Sequence, residues 1–100
     1  MEIGVFKSIH VIEELKIELL QAHCHFQTGA VHSSETEILQ GLADMIGLSY
    51  LLARRMGLDF SKVDRMLMQR LEVWRTAEKT NLEKWWGDLS MLQSYLAPDE

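Results

Sequence analysis

The sequence predicts an all-α protein, a helical bundle of three main helices joined by short loops and followed by a short C-terminal helix. Three observations predict it. Apolar residues recur in steps of three and four over long stretches, which marks one face of a helix. The only proline is Pro98, so nothing interrupts those stretches. The breaks fall at Ser34, Gly57 and Gly87, residue types that start or stop helices.

The first helix is expected over about residues 8–28. Ile12, Leu15, Leu19, Ala22 and Phe26 form its apolar stripe, with Ile9 extending it upstream and Glu13, Glu14 and Glu18 beside it. Thr28 to Ser34 (TGAVHSS) reads as a loop by composition. Ser34 and Glu37 then form a capping box that opens a second helix over about 35–56. Arg54 and Arg55 complement the dipole of its last turn, and Gly57 supplies a left-handed stop.

Within that helix, Ile38 to Ala53 (ILQGLADMIGLSYLLA) carries one charged residue, Asp44. A helix apolar on nearly every face needs more cover than two neighbouring helices give. A subunit interface is the natural cover, and Gly41, Ala43, Gly47 and Ser49 would let backbones approach closely. A homo-oligomer, dimer or tetramer, is therefore expected. Asp44 is expected to be buried, with Arg54, Arg70, a backbone donor or a metal as partner, because an unpaired buried carboxylate is costly.

The third helix is expected over about 60–82, capped by Asp59 or Ser61. Val63, Leu67, Leu71 and Trp74 form its inner face, and Lys62, Arg65, Arg70, Arg75 and Lys79 lie outside. It should end between Asn81 and Trp86. Gly87 breaks the chain, Asp88 caps a fourth helix over 88–96, and Pro98 closes it. Trp85, Trp86, Leu89, Leu92 and Leu96 make an apolar face too large to leave in water. The tail (Trp85, Trp86, Asp88, Leu89, Leu92) is thus read as structural, folded onto the bundle or a second subunit.

One hundred residues suit one domain spanning 1–100. The net charge of −5 argues against nucleic-acid binding, which calls for a basic surplus or a basic face. No apolar run is long enough for a membrane span, and MEIGVFKSIHVIEEL lacks the pattern of a signal peptide. The lone Cys24 has no internal disulfide partner, which fits a reducing cytoplasm. His23 and His25 point about 200° apart on a helix, so they are expected not to chelate one ion together.

Two segments reach a family. One is RRMGLDFSKVDRMLMQRL, residues 54–71, where a helix ends in Gly-Leu-Asp and the next begins at once. The other is EKWWGDLSMLQSYL, residues 83–96, of the form Trp-aromatic-Gly-Asp-Leu-Ser-x-Leu. Together they resemble the MazG-like proteins, a small bacterial branch of the all-α nucleoside triphosphate pyrophosphohydrolases. The resemblance covers about Val11 to Leu96. It implies an all-α fold of that superfamily and, in active members, magnesium held by ExxE and ExxD motifs on adjacent helices. Such members cleave a nucleoside triphosphate to monophosphate and pyrophosphate. Carboxylates suit this work because Mg²⁺ prefers hard oxygen ligands and keeps several waters.

Laid onto this chain, the ExxD positions fall on Gly41 and Asp44, and the ExxE positions on Ala22 and His25. Three of the four ligands are replaced. Glu18 and Glu37 lie one turn before Ala22 and Gly41, but Glu37 is about 10.5 Å along the axis from Asp44, too far to share one ion at about 2.1 Å. Glu14 and Glu18, about 6 Å apart, are close enough to share one. The expected function is a MazG-like homo-oligomer that binds a nucleotide or a protein with little or no hydrolysis. The alternative is a Mg-dependent pyrophosphohydrolase using Asp44, Glu18, Glu14 and Glu37, with Arg54, Arg70 and Lys62 facing the phosphates. A purely structural assembly domain is a third reading.

Overall fold

The computed structural model describes residues 2–77, 84 and 87–97, with the backbone alone for 2–7. Its described elements are all helical: α1 (Glu2–Val31), α2 (Glu35–Arg55), α3 (Phe60–Ala77) and α4 (Asp88–Leu96). The chain divides into two compact units, 1–60 and 61–100.

In the first unit α1 and α2 pack against each other as an antiparallel pair joined by a tight turn. The α1 stripe faces α2 as its spacing requires. Ala22 is buried and Ile12, Leu15, Leu19 and Phe26 are half-buried. Ile9 does not extend the stripe; it is 53% exposed. On α2 the inward positions are Ile38, Gly41, Met45, Leu48 and Leu52, again in steps of three and four. Two glycines let the backbones come close. A β-carbon on Gly29 would lie 2.8 Å from Glu37 Cβ and Ile38 N, and one on Gly41 would lie 2.7 Å from Phe26 Cβ and N.

The predicted loop over Thr28 to Ser34 is shorter than expected, because α1 continues to Val31. Gly29 is where α1 meets the start of α2, so contact across the pair holds a segment whose composition favours a turn. The reversal itself takes only His32 and Ser33, the latter at φ 54°. Ser34 caps α2 as predicted, its Oγ accepting from the Glu37 N–H at 3.3 Å. At the other end Arg54 and Arg55 occupy the last turn and Gly57 adopts φ 89°.

Helix α3 starts at Phe60, so Ser61 lies inside it and Asp59 directly precedes it. Phe60 stacks edge-on against Tyr50 with ring centroids 5.9 Å apart. In the second unit Leu71 is 1% exposed, Val63 and Leu67 are half-buried, and Trp74 is 38% exposed and less inward than expected. Helix α4 has the predicted bounds. Its N-cap is Gly87 in the left-handed region, however, and Asp88 is the first helical residue and not the cap. Leu89 is buried and Leu92 exposed. Trp85, Trp86 and the expected end of the third helix lie outside the described residues.

Candidate functional site

Along one flank of the α1–α2 pair runs an open groove of about 460 Å³. Glu18, Gln21, Ala22 and His25 reach it from α1, and Ala43, Asp44, Gly47, Leu48 and Leu51 from α2. Helix geometry explains the membership. Residues 18, 22 and 25 follow one flank of the α1 stripe, and 44, 48 and 51 follow the matching flank of α2. Both aligned motifs therefore face this groove through Ala22, His25 and Asp44.

The groove corrects the reading of Asp44. This carboxylate is exposed, with no arginine beside it and no hydrogen bond among the described residues. Its position lies on the flank of the α2 face that meets α1. Arg54 instead pairs with Asp59, Nη1 to Oδ1 at 3.8 Å. Arg70 and Lys62 lie on α3, exposed, in the other unit.

The four carboxylates considered for a metal do not gather. Glu14 pairs with His10 at 2.9 Å on the surface of α1. Glu37 lies near the turn, 3.6 Å from His32 Nδ1. Only Glu18 and Asp44 line the groove. Among the described residues no group of three or more His, Cys, Asp or Glu side chains is placed to hold a metal ion. The donor set therefore does not fit the four-carboxylate magnesium site of the superfamily.

Gly41 supplies the reason at one position. The first residue of the ExxD motif stands where the two helices meet closely, against the backbone of Phe26. A glutamate there would have to push the helices apart. The two histidines at 23 and 25 point apart as their spacing requires. His25 is half-buried and shares a 3.3 Å hydrogen bond with Gln40 across the helix pair, whereas His23 is exposed beside Gln27. Cys24 is exposed. The residues that sequence reasoning passed over are Gln21, Leu48 and Leu51. Their signal was available, since Gln21 lies four positions before His25, and Leu48 and Leu51 lie four and seven after Asp44, on the same side of each helix.

Among the described residues no helix is long and apolar enough to cross a membrane. No curated protein and no solved structure matches the chain. The described helices, the groove between the aligned motif positions and a match of the MazG-like family model over residues 5–89 agree, and the chain belongs to the MazG-like family.

Proposed function

We propose that this protein works by binding and self-association and does not hydrolyse nucleoside triphosphates. The observation that carries the reading is Gly41. Its missing side chain is used to bring α2 onto Phe26, so a metal-ligand position has become a helix contact. The groove chemistry agrees. A triphosphate is strongly anionic, yet the described residues that line the groove include two carboxylates and neither lysine nor arginine. Phosphate would have to be held there through a metal, and of the four aligned ligand positions only Asp44 still carries a carboxylate.

The apolar surface favours a protein partner. Leu20 is 70% exposed on α1 and Ile46 is 62% exposed on α2, with Leu39 and Leu42 beside Ile46 on the same face. A second copy of the chain is the partner that would cover such faces reciprocally. The test is pyrophosphate release from a panel of canonical and modified nucleoside triphosphates with Mg²⁺ or Mn²⁺. No release above a protein-free control is expected. Release that disappears in Asp44→Asn would establish a hydrolase and overturn the reading.

A further inference from the structure

We propose that the groove between α1 and α2 receives α3 of a second copy of this chain. The proposal rests on the self-association reading above and names the surfaces that would mate. The groove has an apolar, small-residue floor that includes Ala22, Ala43 and Gly47. A β-carbon added at Gly47 would meet nothing within 4 Å, so there is room for side chains from outside. Glu18 and Asp44 stand at its edges, exposed and without an ion pair among the described residues.

Helix α3 presents the complementary surface. Its inner side is Val63, Leu67 and Leu71. On a flank about 130° round the helix run Lys62, Met66, Gln69 and Val73, in steps of four, three and four. Met66 is 56% and Val73 44% exposed, and Arg65 stands one turn from Lys62. Lys62 and Arg65 are exposed and make no ion pair among the described residues. Two apolar side chains, Met66 and Val73, with two cations unpaired among the described residues at one end, thus match a groove of small and apolar residues that carries two carboxylates.

The charges choose the occupant. Two grooves facing each other would bring four carboxylates together, which disfavours that arrangement. A groove against a basic helix satisfies both signs. Every copy carries one groove and one α3, so the contact is reciprocal, and two copies related by a two-fold axis would each give and receive one helix.

Charge reversal tests this in the full chain by sedimentation, with circular dichroism to follow helix content. Glu18→Lys with Asp44→Lys should weaken self-association at least tenfold, as should Lys62→Glu with Arg65→Glu. An equimolar mixture of the two variants should recover a one-to-one heterodimer, since each contact again pairs opposite charges. If a reversed groove impairs folding, Glu18→Gln with Asp44→Asn should still weaken association. Variants that self-associate like the wild type would overturn the groove contact and leave the self-association reading standing. A wild type that sediments only at 11.6 kDa would overturn both. A mixture that stays monomeric while the quadruple variant recovers wild-type stability would place the chain's own helix in the groove, and that also overturns the proposal.

Discussion

At Gly41 a β-carbon would come within 2.7–2.8 Å of three Phe26 atoms, two of them in the backbone. Backbone cannot swing aside as a long side chain does, so any substitution must separate the helices. Gly41→Glu, which rebuilds the family's ligand, should therefore cost about 2–3 kcal/mol or more in urea unfolding, and should not create pyrophosphohydrolase activity. Gly57→Ala is the useful contrast. There the added carbon meets nothing, and only the left-handed backbone at φ 89° is strained, so about 1 kcal/mol is expected. Equal costs for the two would show that Gly41 is not a packing position. Asp44 teaches the complementary lesson. Its neighbours in sequence are apolar, but Gly41, Ala43 and Gly47 are apolar without bulk and cover little. A count of apolar residues in the window overstated how enclosed the carboxylate is. Projecting the window onto one face of the helix (Ile38, Gly41, Met45, Leu48, Leu52) would have placed it on the flank.

Elements that depend on local signals were readable from the sequence. The Ser34 cap, the Gly57 stop and the bounds of α4 all follow from single residues whose conformational preferences act alone. The end of α1 was not readable, because its last turn is held by Gly29 against α2 and the sequence gives no local sign of that contact. A second tie of this kind joins α3 to α4. Glu72 accepts from Arg75 Nε at 3.2 Å within α3 and from Gln93 Nε2 at 3.1 Å on α4. The Arg75 hydrogen bond, then the Gln93 hydrogen bond, hold the Glu72 carboxyl below its ordinary 4.5. A lowered carboxyl favours the folded form above the ordinary value and loses that contribution as pH falls through the lowered one. The protection factors of the 88–96 amides, taken against the intrinsic exchange rate at each pH, should therefore fall as the pH drops below about 4.5, and Glu72→Gln should remove most of that acid dependence. The group is fully exposed, so the effect belongs to the docking of α4 and not to global unfolding. Unchanged acid dependence in Glu72→Gln would assign it to other carboxyls.

Across the whole molecule, the apolar side chains buried among the described residues are Ala22, Ala53, Leu71 and Leu89, and two of these are alanines. Against them stand large apolar side chains left in water on α1, α2, α3 and α4, such as Leu20, Ile46, Met66 and Tyr95, the last 78% exposed. Each such side chain forgoes a good part of the roughly 1.5–3 kcal/mol that full burial supplies, and a domain of this size has only about 5–15 kcal/mol of net stability. A chain that is 47% apolar and buries so few large side chains among its described residues is expected to gain stability by association. Mass action then makes its melting temperature depend on concentration, since unfolding releases separate chains. For two chains melting as one unit, a tenfold increase in concentration is worth about 1.4 kcal/mol and should raise Tm by about 3 °C. Calorimetry over a hundredfold range of concentration measures this directly. A Tm that stays constant over that range would mean that the single chain is already the complete folding unit, and that its apolar faces are kept for a partner other than itself.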